Sequence, residues 1–580
     1  MRIEHTLEQI ATRAVYAATG EDSPAHLKPT TDPKHGDYQI NAAMALAKKL
    51  KKNPRDLAQS IATQLESEPS IAKAEVAGPG FVNLTLASSW IAEQVEQAAR
   101  DVARDGVPLT DRPQKVVVDF SSPNIAKQMH VGHLRSTIIG DALCKLLRFV
   151  GHDVIGDNHI GDWGTQYGLL LAGMSELGDL SALEDSPIEE LERVYQAASK
   201  QAKEDEAFAE RARKELSKLQ SGDEANLAMW RKFVATTRTA LDGVYARMNV
   251  TFDQWLGESA FNDALPGVVA ELVEKNIARP DQGAIGVFWQ ELAEVPGPLR
   301  KQEQPFLVQK RDGAFLYSTT DIAAAKFRKS AWQADRCLYV VDARQALHFT
   351  QLFAVVSLLG IEMEMEHISF GTVLDEAGKP LKTRDGKAVT LASLLDEAEG
   401  RAEARLREGM NEGKVHIPPE DVETVARAVG IGAVKYADLR QNRASDYQFD
   451  WDKLVSFQGN AGPYLQYAYA RISSIFEKAE RNINEVAATV VLTAPEEERL
   501  ARVLVRFGEV VHRASETSLP HLLTDHLYEL AKAFMAFFEA CPVLKAEPTI
   551  QNSRLTLAAL SARQIKRGLF LLGIDVVERM

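Results

Sequence analysis

Hydrophobic and polar positions follow two rhythms along this chain, and the places where one gives way to the other outline its architecture. Residues 7–17, 38–50 and 57–65 repeat their apolar positions at three and four residues, which predicts helices with one buried face. Val76, Phe81, Val82, Leu84 and Leu86 predict strands around the turn Gly78-Pro79-Gly80, and residues 89–102 predict a further helix. Residues 101–112, with Gly106, Pro108 and several charges, read as a linker. At Lys115 the character changes. The β-branched run Val116-Val117-Val118-Asp119-Phe120 is followed by Ser-Ser-Pro and then by helical periodicity over 134–149. The same alternation is predicted at 153–159 before 166–177, at 314–318 before 321–329, and at 336–341 before 348–359. A parallel sheet with helical crossovers is the economical explanation. The charged, helix-forming stretch 181–249 and the mixed stretch 251–305 interrupt it. From 417 onward the pattern is almost purely helical, with Leu523, Leu527, Leu530, Phe534 and Phe537 on one face.

The predicted fold class is therefore α/β: a Rossmann-like parallel-sheet central domain with insertions, a small N-terminal α/β domain and a C-terminal all-α bundle. The boundaries predicted are 1–110, 111–395 with an insertion at roughly 181–305, a connecting segment 396–430, and 431–580. At 580 residues the chain is too long for one ordinary core, and 45% hydrophobic with 26% charged residues is globular composition. Cys144, Cys337 and Cys541 have no paired spacing, which removes a zinc ribbon and a disulfide framework and points to a reducing cytoplasm. No signal-peptide core opens the chain and no stretch is apolar enough for a bilayer, so no membrane association is expected. A net charge of −14 argues against a protein that coats DNA, yet leaves room for local basic strips that contact a specific RNA.

The densest local signal is Ser122-Pro123-Asn124-Ile125-Ala126-Lys127-Gln128-Met129-His130-Val131-Gly132-His133, between the first central strand and its helix. A helix start after a strand offers free N–H groups to phosphate, and a glycine there lets a nucleotide approach the backbone. His130 and His133 can then donate to phosphate oxygens as pyrophosphate leaves. Two bland readings compete: histidines three apart that merely cap a helix, and a zinc pair, for which no third ligand stands nearby and no HExxH exists.

The segment resembles the HIGH signature of the class I aminoacyl-tRNA synthetases, written here His-Val-Gly-His, and its surroundings are similar to the arginine-specific members. Residues 156–166, Gly-Asp-Asn-His-Ile-Gly-Asp-Trp-Gly-Thr-Gln, are similar to the next strand end of that family, as are the blocks 315–321 and 339–348. The resemblance implies arginine–tRNA ligation from ATP, with Mg²⁺ carried by the nucleotide and no dedicated protein metal site. It implies that the 2′-hydroxyl of the terminal ribose is esterified. Pro123, His130, Gly132, His133 and Lys382 are implied for ATP, and Asp119, Asn124, Tyr317, Asp321 and Gln345 for arginine. Carboxylates at strand ends suit a guanidinium, which takes planar bidentate acceptors. Without the motifs, Asp321 reads as a helix N-cap and Tyr317 as a sheet-edge residue.

The family's mobile KMSKS loop is degenerate here. Lys382-Thr383-Arg384-Asp385-Gly386-Lys387, after a strand predicted at 367–373, occupies its place. The resemblance gives Lys127 part of the missing lysine's task, so the catalytic cations expected are Lys127, Lys382, Arg384 or Lys387 beside His130 and His133. For tRNA-Arg, the resemblance implies a helical anticodon-binding domain in which Tyr464, Tyr467 and Arg471 share one helix side, with Met580 at the chain end. Phe81 and Asn83 match the region that contacts the D-loop, where Phe81 can stack and Asn83 read a base edge, against the alternative that Phe81 enters the core. A monomer is expected. The rival readings are another enzyme of related fold, either a different class I synthetase or a small-molecule nucleotidylyltransferase with HxGH, the latter disfavoured by the helical C-terminal third, and a synthetase-like RNA-binding protein without chemistry.

Overall fold

The computed structural model describes residues 2–30, 32–179, 181–375, 377–381 and 389–580. Its N-terminal part is a four-stranded antiparallel sheet in the order Lys28–Pro29, Tyr38–Ile40, Phe81–Leu86, Ile71–Ala77, covered by helices Ile3–Thr19, Ala42–Leu50 and Pro54–Leu65. The helix expected over 38–50 begins only at Ala42. Tyr38 and Ile40 bury alternate side chains in a strand paired with Leu84 and Val82, and that pairing overrides the local helical spacing.

The central sheet has four parallel strands: β1 (Lys115–Asp119), β2 (Asp153–Asp157), β3 (Arg336–Tyr339) and β4 (Glu364–His367), in the order β4-β3-β1-β2. Valines fill β1 because it lies mid-sheet with both faces covered. In register, His367, Tyr339, Asp119 and Asp157 form one row across the carboxyl edge. The chain leaves β1 through α1 (Val131–Phe149) toward β2 on one side, and reaches β3 through α2 (Tyr317–Ser330) and β4 through α3 (Ala346–Leu358) on the other. The strand order thus reverses between β1 and β3, and the crevice outside that point is where such sheets hold ligands.

Of residues 314–318, expected as a strand of this sheet, Phe315 instead bridges Gln309, and Tyr317 and Ser318 open α2. The Ser318 and Thr319 hydroxyls donate to the carbonyls of Leu307 and Val308, which tie α2 to a separate antiparallel sheet of Arg279–Asp281, Ala284–Val287 and Phe306–Gln309. The long interruption is therefore two bodies: helices between Ala182 and Arg247, then this small sheet. Between them Gln254 returns to bridge Asp157 beside β2.

The C-terminal part is helical: α4 (Leu391–Asn411), α5 (Val422–Leu439), α6 (Gly462–Ala479), α7 (His521–Ala540) and α8 (Pro548–Leu571) are its long members. The strand expected over 367–373 is shorter, since β4 ends at His367 and Val373–Leu374 pairs in parallel with Tyr447–Gln448. The segment 101–112 is a linker in composition but is clamped in space. Asp105 accepts from Arg563 at 2.8 Å and Arg567 at 2.9 Å on α8, and Arg563 also donates to the carbonyls of Ala98 and Ala99. No helix of the described residues is long and apolar enough to cross a membrane.

Candidate active site at the carboxyl edge of the central sheet

The loop from β1 to α1 places the histidines. Ser121, Ser122 and Ala126 all take positive φ (72°, 45° and 63°), a concentration of strain that needs outside support. Ser121 receives it: its N–H donates to Ser136 Oγ at 2.8 Å, and its hydroxyl meets Thr137 Oγ1 at 2.8 Å and Tyr245 Oη at 2.7 Å. Pro123 is buried, while Asn124 is exposed and bridges Gly161 of the neighbouring loop.

His130 is the N-cap of α1, and the histidines are used on both edges. The Gly132 N–H donates to His130 Nδ1 at 3.0 Å, and the His130 N–H donates to His133 Nδ1 at 3.1 Å. Accepting at Nδ1 fixes the tautomer, so the neutral rings carry their hydrogens on Nε2. Burial pushes the His133 imidazolium down to about 4, with His130 adding to the effect, and burial, Lys127 and Arg344 also lower His130. The capping role and the phosphate-donor role are thus compatible. Gly132 is required by the cap: a Cβ there would stand 2.7 Å from His130 Cε1.

A second chain segment is stapled to this cap. His130 bridges Thr390, the Val131 N–H donates to Val389 O at 3.1 Å, and the Leu391 N–H donates to Met129 O at 2.8 Å. Lys382, Arg384 and Lys387 lie outside the described residues, whereas the described Leu381 on their other side bonds Val373 O at 3.1 Å. Lys127 sits with its Nζ 5.5 Å from the Tyr195 ring on the helix Pro187–Glu204.

The acidic side of the crevice has two parts. Asp119 and Asp157 both accept from the buried Arg328 Nη2, at 2.7 and 2.8 Å, and Ser122 Oγ donates to Asp119 Oδ1 at 3.0 Å. Asp119 therefore already holds an internal guanidinium. Burial pushes Asp157 above the ordinary carboxylate range, against the pull of Arg328. Farther out, Asp321 lies one turn inside α2, not at its N-cap, and its Oδ2 is 2.6 Å from His348 Nε2. The exposed Tyr317 ring stands 4.8 Å from that imidazole. Gln345 is exposed in the turn before α3, next to Arg344, whose charge reaches His130.

Sequence reading assigned no role to Glu258, His159 or Asp162. Burial pushes the Glu258 carboxyl up to about 7, the His159 charge draws it down, and the Asp321 and Asp162 charges push it up. Asp162 is held by Ser259 through the N–H at 2.8 Å and the hydroxyl at 2.6 Å. His159 bonds Leu256 O through Nδ1 at 2.7 Å and leaves Nε2 buried without a partner. His159 and Asp162 lay within a motif already singled out; Glu258 is one acid in a segment without periodicity, and nothing local marks it.

The expected RNA contacts occupy separate surfaces. Phe81 and Asn83 share the open face of their strand while Val82, Leu84 and Leu86 fill the core, so Phe81 does not enter the core. Tyr464, Tyr467 and Arg471 are half-buried on α6; Tyr464 meets Tyr528, and Arg471 lies 4.7 Å over the Phe538 ring, both on α7. Met580 packs elsewhere, in the cluster that holds Phe457, Ile417 and Val422. Among the described residues no group of three His, Cys, Asp or Glu side chains could hold a metal ion.

Comparisons with known proteins match this architecture part by part. Residues 95–451 match the family model described as tRNA synthetases class I (R), catalytic domain, residues 465–580 the DALR anticodon binding domain, and residues 1–86 the arginyl tRNA synthetase N terminal domain. The arginine–tRNA ligase of Laribacter hongkongensis is 44% identical over 585 residues, covering 100% of both chains. That of Pseudoalteromonas atlantica is 46% identical over 99% of this chain and 100% of its own. Among solved structures, the arginyl-tRNA synthetases of Plasmodium falciparum (TM-score 0.84, 27% identity, 100% and 99% of the chains) and Thermus thermophilus (0.82, 26%, 100% of both) share the fold. With a catalytic-domain model covering more than half its length and full-length relatives well above 40% identity, this chain belongs to the class I arginyl-tRNA synthetase family.

Proposed function

We propose that the protein is an arginine–tRNA ligase that activates L-arginine with Mg²⁺-bound ATP and esterifies it to the terminal ribose of tRNA-Arg, acting in the cytoplasm as a monomer. The arginine carboxylate attacks the α-phosphorus, the bond to the bridging oxygen breaks, and pyrophosphate leaves. The ribose hydroxyl, the 2′ one in class I chemistry, then attacks the adenylate carbonyl and AMP departs. There is little covalent work for side chains in the first step, so positioning and charge stabilisation carry it.

His130 and His133 present Nε2–H donors at the start of α1, where the helix dipole adds to their effect on phosphate. Pro123 and Gly132 shape the floor of that ATP site. Lys127, with Lys382, Arg384 or Lys387 from the adjoining loop, supplies positive charge to the triphosphate. Asp321 and Glu258 take the guanidinium, Tyr317 flanks its stem, and Asn124, Gln345 and Asp119 serve the α-amino end. Phe81 and Asn83 meet the D-loop, and Tyr464, Tyr467, Arg471 and Met580 the anticodon.

The observation that carries this reading is the Asp321 carboxylate, 2.6 Å from His348, with the Glu258 carboxyl within reach of its charge, at the sheet edge that also carries the histidine cap. The test is esterification of bulk tRNA with each amino acid in turn. Arginine alone is expected to be transferred; transfer of lysine or glutamine in its place, or of no amino acid, would overturn it.

A further inference from the structure

The catalytic helix α1 is joined to the C-terminal part of the molecule by charges that packing alone would not require. Arg135, two residues after His133, has its Nε 3.0 Å from Asp438 Oδ2 on α5. The same guanidinium donates through Nη1 to Gly371 O at 2.8 Å and Ser445 O at 3.1 Å, and lies over the Tyr447 ring at 5.2 Å. Two turns along, Asp141 Oδ2 is 3.5 Å from Lys435 Nζ, again on α5, and that ammonium donates to Met248 O at 2.7 Å. All four side chains are buried. Two antiparallel helices are thus pinned by ion pairs of opposite polarity, and a slide of one turn would set Arg135 toward Lys435, cation against cation.

Buried pairs of this kind add little stability over apolar residues of the same volume, and their attested use is to fix register. The far side of α5 carries the bundle. Tyr436 Oη donates to Asn460 Oδ1 at 2.6 Å and Thr524 O at 3.2 Å, and Gln466 on α6 donates to Ala428 O at 3.1 Å and Asp575 O at 2.7 Å. Gly573 touches the second pair directly: a Cβ there would lie 2.5 Å from both Asp141 Oδ2 and Lys435 Nζ.

We propose that Arg135–Asp438 and Asp141–Lys435 are positioning contacts that set the register of α1 against α5, so that RNA seated on the C-terminal bundle is read at the histidine cap. This rests on the ligase reading. None of the four residues touches substrate; each acts through α1 or through the carbonyls of Gly371 and Ser445.

The test uses full-length enzyme. Lys435→Met removes one pair while Asp141 keeps Lys145 at 2.5 Å, and Asp141→Leu/Lys435→Leu replaces the whole pair by apolar volume in case the single change fails to fold. The expected result is a fall of about tenfold in kcat for arginine transfer. The melting temperature, the Kd for tRNA and the KM for arginine stay near the wild-type values. Unchanged kcat in the folded double variant would overturn the proposal, and so would parallel losses in Kd, KM and melting temperature, the mark of a merely structural pair. Wild-type enzyme inert toward arginine would instead overturn the ligase reading and this inference with it.

Discussion

The backbone of His130 is bridged to that of Thr390, so the histidine cap and the start of α4 are one piece of structure. The two edges of each imidazole divide the labour: Nδ1 closes the helix start, which leaves Nε2 for the proposed phosphate contact.

That division predicts opposite phenotypes for two amide substitutions. In His133→Asn the amide oxygen takes the place of Nδ1 and keeps the cap, but no donor reaches the Nε2 position; kcat is expected to fall about 10²–10³-fold with stability nearly unchanged. His133→Gln keeps an N–H near the Nε2 position and loses the cap, so stability drops by about 1 kcal/mol while most of kcat remains. Steady-state charging together with urea unfolding distinguishes the pair.

Arginine affinity should depend on pH through Glu258. Its carboxyl, pushed up to about 7 by burial, is neutral below that pH and charged above it. The guanidinium stays charged throughout this range, so the KM for arginine is expected to fall as the pH rises from 6 to 8. Glu258→Gln should raise KM and abolish the slope, and a slope that persists in the variant removes Glu258 from the pocket.

Much of this architecture was legible in the sequence because each feature had a local physical signature. The valines of β1, the helical rhythm after residue 417 and the compact run from Ser122 to His133 each report their own surroundings. The start of α2 differs from the expected strand because Tyr317, Ser318 and Thr319 look like strand formers, while the hydroxyls that pull them into a helix start bond to Leu307 and Val308, which are remote in sequence from the helix start. Tyr38–Ile40 was missed for the same reason: its strand exists only through the hairpin it joins. Glu258 acquires its character from Asp321, His159 and burial, none of which has a signal at position 258. Arg328 carries no local mark at all, yet it is the buried partner of Asp119 and Asp157.

Removing that cation should be costly. Arg328→Met leaves two buried carboxylates facing each other without a counter-charge, and a loss of about 3–5 kcal/mol in unfolding free energy is expected. Adding Asp157→Asn should recover part of it, since one of the like charges is gone. Denaturant titration of the single and double variants measures both, and equal stability of the two would show that the carboxylates do not repel.

His526 predicts an acid-sensitive stability. It is fully enclosed on α7 with neither ring nitrogen bonded, and burial pushes it down to about 3. Unfolded, the ring takes up its proton near 6.5, the ordinary value, so its contribution is whole above that pH and is lost as the pH falls toward 3. The loss is at most about 1.4 kcal/mol per pH unit. His526→Leu should flatten the dependence of melting temperature on pH between 6.5 and 4; an unaltered profile would place the sensitivity elsewhere.

The central claim is that carboxylates at the open edge of the sheet grip arginine while the histidine cap holds the phosphate. A crystal structure with a non-hydrolysable arginyl-adenylate analogue tests it in one measurement. The guanidinium is expected within hydrogen-bond reach of Asp321 and Glu258, and the phosphate within reach of Nε2 of His130 or His133. A guanidinium bound away from both carboxylates, or a phosphate distant from both imidazoles, would contradict it.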